Sequence, residues 1–110
     1  MTAEEGNKLI VEFMGFKMIE AKDITENTNI NEYCYNPRYH SSWDWLMPVV
    51  EKIETLNNYV KIETPINTKQ LRTTYVNIDG KIEINIHELS KIKAVWLAVV
   101  EFIQWYNIQK

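Results

Sequence analysis

The segment Ala94–Ile103 carries a single charged residue, Glu101. Around it, Ile92, Val95, Trp96, Val99, Phe102, Ile103 and Tyr106 recur at helical spacing. This predicts a helix from about Lys91 to Asn107, capped by Ser90. Leu97, Val100 and Trp105 fall outside that stripe, so the helix is apolar on more than one side. Such a helix has two outlets. It is the buried centre of the fold, or it lends a face to a partner, for example a second copy in a homodimer.

The rest of the chain must supply its cover. A first helix is predicted from Ala3 to Met14, with Thr2 as N-cap and Glu5 at capping-box spacing. Leu9, Ile10, Phe13 and Met14 share one side, with Ala3 and Gly6 a turn earlier. Gly15 suits the residue past the helix end, because glycine enters the left-handed region cheaply. Phe16 to Ile19 reads as a short extended segment. A second helix starts near Ser41 or Ser42, with Ser41 and Asp44 as cap and first-turn acid. Leu46, Val49, Val50, Ile53 and Leu56 form its inner face. Pro48 either kinks this helix or marks its regular start.

Three strands follow: Tyr59–Thr64, which stops at Pro65, then Arg72–Ile78 and Lys81–His87 around Asp79-Gly80. A two-residue turn would set Val76 and Ile82 on opposite faces. A three-residue loop, Ile78-Asp79-Gly80 with Gly80 left-handed, sets Val76, Ile82, Ile84 and Ile86 on one face, and is preferred. The order α-β-α-β-β-β-α describes an α+β layered sandwich: a small, mostly antiparallel sheet packed with three helices, one domain over residues 1–110. Residues 20–41 form a long acidic loop within it. Glu20, Asp23, Glu26 and Glu32 stand against Lys22, among turn-formers Asn27, Asn29, Asn31 and Pro37.

Net charge is −3, which argues against a general phosphate-backbone binder. That figure hides a split: an acidic first third, and a sheet region with Lys61, Lys69, Arg72, Lys81, Lys91 and Lys93. One cysteine, Cys34, excludes an internal disulfide and a multi-thiolate metal site, and fits a reducing compartment. No apolar run is long enough to span a membrane, and no signal-peptide pattern opens the chain. The expectation is a cytoplasmic protein.

No catalytic constellation stands out. His40, Ser41 and Asp44 have the residue types of a nucleophilic triad, but they are neighbours in sequence and no glycine-rich turn supplies an oxyanion hole. Capping explains them better. Cys34, His40 and His87 fall short of the four ligands of a structural zinc site. No phosphate-cradling loop or dinucleotide fingerprint is present. The expectation is no catalytic residue, metal or cofactor.

Aromatic and arginine side chains are the usual anchors of interfaces. Tyr35, Arg38, Tyr39, Trp43 and Trp45 cluster in sequence, and Trp43 and Trp45 point apart on a helix, so one goes inward and the other lies at an edge. With Trp105 and the acids Glu20, Asp23, Glu26 and Glu32, these are the candidate partner-binding residues. Tyr59 and Tyr75 beside Lys61, Lys69, Arg72 and Lys81 outline a second candidate, a surface for stacking bases.

Three stretches are familiar together: Asn7–Gly15 (NKLIVEFMG), Tyr39–Glu54 (YHSSWDWLMPVVEKIE) and Ala94–Asn107 (AVWLAVVEFIQWYN). They resemble a group of small phage and prophage proteins, similar in turn to the phage ABA-sandwich domain, a helix–sheet–helix fold. The resemblance implies the same fold class and carries over no active-site residue. It also implies a context. Small phage accessory proteins act by binding, among them inhibitors of host defence such as anti-CRISPR proteins. The expected partner is a host protein such as a CRISPR effector nuclease, and the expected setting is the bacterial cytoplasm. A nucleic-acid-binding accessory module and an oligomer-forming phage component are the alternatives.

Overall fold

Thr2 opens helix α1 (Ala3–Phe13) with a complete capping box: its hydroxyl accepts from the Glu5 N–H, and the Glu5 carboxylate accepts from the Thr2 N–H. The helix closes with a Schellman motif. Phe16 N–H donates to the Val11 carbonyl and Gly15 N–H to that of Glu12, with Gly15 at φ +89°. The computed structural model describes residues 1–29, 31–56, 58–63, 74–80, 84–88 and 90–109, and of His87 the backbone alone.

Strand β1 (Lys17–Met18) pairs in parallel with β2 (Tyr33–Cys34), so the acidic segment 20–41 contains a short strand and is not loop throughout. Helix α2 runs over Trp43–Thr55, so Pro48 does not mark its start. Ser42, not Ser41, is its N-cap, and its hydroxyl makes no capping bond. Pro48 has no N–H for the Asp44 carbonyl; both residues are exposed, so water can take that bond. Leu46, Val49, Val50 and Ile53 are buried as expected.

Strands β3 (Tyr59–Glu63), β4 (Thr74–Asp79) and β5 (Ile84–Glu88) form an antiparallel sheet in the order β3-β4-β5. The expected face is right and the register is not. Val76 pairs with Ile86, and Ile78 with Ile84. Ile78 therefore continues strand β4 and is buried instead of turning. Gly80 has φ +154°, away from the left-handed helical value. Ile82 and Pro65 lie outside the described residues, as do Lys69, Arg72 and Lys81.

Helix α3 (Lys91–Ile108), with the Ser90 hydroxyl accepting from Lys93 N–H, is the centre of the fold. It packs on β4 and β5, α1 packs on it, and α2 packs on both α3 and β3. This cover accounts for its two-sided apolarity: Ala94, Val95, Trp96, Ala98, Val99, Val100, Phe102 and Ile103 are all buried. The result is the expected α+β architecture, with its helices gathered on one face of the sheet. On the other face Tyr59, Lys61, Glu63, Tyr75, Asp79 and Asn85 are exposed, so the helix–sheet–helix layering implied by the resemblance is not seen among the described residues.

The buried face of α1 is wider than the expected stripe. Asn7 and Val11 are buried with Gly6, Ile10 and Phe13, while Leu9 and Met14 are only half-buried. The reason is that α1 contacts α3 on one side and β1 on another. Its C-terminus is tied to α2 by Lys52, whose ammonium donates to the Phe13 carbonyl and lies 4.5 Å from the centre of the Phe13 ring.

Candidate functional site

The acidic loop is ordered by its own short-range bonds. A 3₁₀ turn covers Ala21–Asp23. Thr25 and Thr28 close the next turn: Thr25 N–H donates to the Thr28 hydroxyl at 2.8 Å, and Thr28 N–H to the Thr25 carbonyl at 3.1 Å. Asn29 organises a third, accepting on Oδ1 from Asn31 N–H and on its carbonyl from Glu32 N–H. Glu32 then accepts from Lys17 N–H at 2.8 Å, and Cys34 from Ile19 N–H at 3.1 Å, so both ends of the loop return to β1.

Fixed in this way, the loop stands beside α1 and leaves an open groove of about 920 Å³. Glu4, Glu5 and Lys8 line it from α1, and Met18, Ile19, Glu20, Lys22, Asp23 and Tyr33 from β1 and the loop. A second hollow of about 530 Å³ shares Glu4, Met18, Ile19 and Glu20 with it and extends to Tyr35, Asn36, Pro37 and His40. The two adjoin along these four shared residues, and together they are the cleft. Its charges are unbalanced toward the negative. Glu20 pairs with Lys22 at 3.3 Å, both well exposed. The capping bonds from Thr2 hold the Glu5 carboxyl below the usual carboxylate range.

Beneath the far end lies a polar hub. Asn7, buried on α1, accepts from the Trp96 indole N–H at 2.8 Å. Its amide donates to the Pro37 carbonyl at 3.2 Å and meets His40 Nδ1 at 2.7 Å. The hub joins α1, α3 and the approach to α2.

The candidate partner-binding residues divide. Glu20, Asp23 and Tyr35 line the cleft, and Tyr35 is 52% exposed. Glu26 and Glu32 are exposed on the same loop, outside the cleft lining, and Arg38 is exposed between β2 and α2. Tyr39 is a correction: it is 5% exposed and cannot be a docking contact. It packs edge-on against Trp45, ring centres 5.2 Å apart, and burial pushes its hydroxyl pKa up to about 12. Trp45 is thus the inward tryptophan and Trp43 the outward one, 38% exposed. Trp105 is half-buried at the far end of α3, 5.7 Å from Phe102.

Glu4, Glu5, Lys8, Met18 and His40 also belong to the cleft, beyond the residues expected from the sequence. The spacing of Glu4 and Lys8, i and i+4 on the polar side of α1, is the one local signal that marks them. Burial raises the pKa of Cys34, away from the thiolate a nucleophile needs. No three side chains among His, Cys, Asp and Glu stand together as a metal-binding group among the described residues. No family model matches the chain, and comparison with curated proteins and with solved structures finds no match.

Proposed function

We propose that the chain is a non-enzymatic binding protein that docks its acidic cleft onto a basic surface of a nucleic-acid-handling protein. The observation that carries this reading is the convergence of Glu4 and Glu5 from α1 with Glu20 and Asp23 from the loop around one open groove. Exposed Met18 gives that groove apolar contact area beside its charge, and exposed Tyr35 lines the adjoining hollow. Carboxylates arrayed on a rigid edge steer a protein toward positive potential and compete there with phosphates. In the phage context implied by the resemblance, the partner is a host defence nuclease such as a CRISPR effector. The chain inhibits it in the bacterial cytoplasm by covering its nucleic-acid channel.

The test is affinity capture from host lysate with the wild-type chain and with a Glu4→Lys, Glu20→Lys, Asp23→Lys variant, all three positions being exposed. A nuclease retained by the wild type, lost by the variant, and inhibited stoichiometrically by the purified chain supports the reading. Enrichment of no nuclease or nuclease-associated protein, or equal capture by the variant, overturns it.

A second reading has one observation behind it: Tyr59 and Tyr75 are exposed on the uncovered sheet face, where bases can stack. It stands second because Lys61 is already paired with Glu63 at 2.9 Å and Asp79 adds negative charge to that face. A gel shift at low salt decides it, since backbone binding is strongest there.

A further inference from the structure

Asn7 has its hydrogen bonds assigned by its neighbours. The Trp96 indole nitrogen is a donor only, so the Asn7 atom that meets it is Oδ1. Nδ2 must then face Pro37 and His40. A flipped amide would set two donors against each other at Trp96 and two oxygens at Pro37. An amide nitrogen accepts nothing, so His40 Nδ1 is the acceptor, and the neutral ring carries its proton on Nε2.

We infer that His40 is a proton-operated latch on the cleft: unprotonated at Nδ1 it holds the segment 37–40 onto α1 through Asn7, and protonated there it releases it. A proton on Nδ1 would face the Asn7 N–H, and Asn7 cannot turn to accept it without losing Trp96. The segment concerned lines the cleft: Tyr35, Asn36, Pro37 and His40 border the same hollow as Glu4 and Glu20. Those two carboxylates and the Tyr35 hydroxyl are the titratable groups that share this end of the cleft with His40, and Arg38 lies on its own segment. Glu4 and Glu20 supply negative charge within the same hollow. The latch is a property of the free chain; its effect on docking rests on the binding function proposed above.

The experiment is ¹⁵N NMR of the full chain from about pH 8 to about pH 5, the interval in which imidazoles exchange their proton. The expected result is a neutral His40 protonated at Nε2, with the Trp96 indole N–H resonance moving at the same midpoint as the His40 ring. A ring protonated at Nδ1 at high pH, or a Trp96 resonance that stays flat while His40 titrates, overturns the latch. His40→Gln keeps an acceptor and cannot charge, so the Trp96 response must vanish; its persistence also overturns the latch. With a nona-arginine peptide as the probe, affinity should change about threefold or more across the titration in the wild type and stay constant in His40→Gln. An intact NMR response with no peptide binding at any pH retires the docking surface and leaves the latch standing.

Discussion

The six-membered ring of Trp96 occupies the space where a side chain on Gly6 would begin. A Cβ at Gly6 would lie 2.2 Å from Cζ2 and 2.6 Å from Cη2. The ring cannot give way freely, because it is buried and its nitrogen is bound to Asn7. Gly6 thus sets how closely α1 approaches α3. Gly6→Ala should destabilise the fold by about 1–3 kcal/mol through overpacking, even though alanine gains about 1 kcal/mol in helix propensity. Urea unfolding measures this. A variant as stable as wild type would show that the two helices separate at little cost.

Removing the Asn7 side chain leaves the Trp96 N–H, the Pro37 carbonyl and the His40 ring without it at once. Each buried polar group stranded costs about 1–3 kcal/mol. Water reaches the exposed His40 more readily than the buried indole. Asn7→Ala should therefore cost about 2–4 kcal/mol, and Asn7→Asp at least as much, since it accepts from Trp96 but sets a buried carboxylate oxygen against the Pro37 carbonyl. Thermal unfolding of both variants against wild type gives the order.

What could be read in the sequence was local. The face Leu46, Val49, Val50 and Ile53, the Thr2–Glu5 box and the Gly15 stop follow from helical spacing and cap chemistry within a few residues. The hairpin register needed a comparison of energies. Asp79-Gly80 favours an early turn, but running the strand through Ile78 buries it against Ile84, and burying an isoleucine is worth about 2 kcal/mol. The sheet face survived because the two registers differ by an even number of residues. The cleft was half legible. Its loop acids were evident, while Glu4 and Glu5 read as a solvated helix face. The β1–β2 pairing that brings loop and helix together is two residues long and leaves no periodic trace.

Tyr39 and Cys34 are buried neighbours, and burial raises the pKa of both. For Tyr39 the folded value of about 12 exceeds the ordinary value of 10.0, so the neutral form is favoured by folding. Its contribution to stability is present below about pH 10 and is lost as the pH rises toward about 12. Spectroscopic titration should show a late-ionising phenol, and Tyr39→Phe should remove that late phase. Cys34 should react with a thiol reagent at a rate limited by unfolding, and rapidly in denaturant.

The two tryptophans of α2 separate stability from binding. Trp45 packs on Tyr39, and Trp45→Ala should cost about 2–3 kcal/mol, less than a fully buried ring. Trp43 is exposed, and Trp43→Ala should change stability by about 1 kcal/mol at most. If Trp43 anchors a partner, its alanine variant folds normally and loses capture in the lysate experiment. Normal capture removes it from the interface.

Glu5 supplies a pH dependence at the entrance to the fold. Its carboxylate accepts from both the N–H and the hydroxyl of Thr2, and these bonds hold its pKa below the ordinary value. A carboxyl with a depressed folded pKa favours folding above its unfolded value, and the benefit is lost as pH falls through the folded value. The first turn of α1 should therefore loosen only in acid, at a pH below that at which an unconstrained glutamate takes its proton. Hydrogen exchange at the Glu5 and Gly6 amides reports this, because those N–H groups donate to Thr2 Oγ1 and to the Thr2 carbonyl. In Thr2→Ala the hydroxyl, the largest cause of the depression, is gone, so the Glu5 carboxyl should titrate closer to its ordinary range and the protection should fall at every pH. Unchanged exchange in that variant would show that α1 is anchored by its packing on α3 and β1 rather than by its cap.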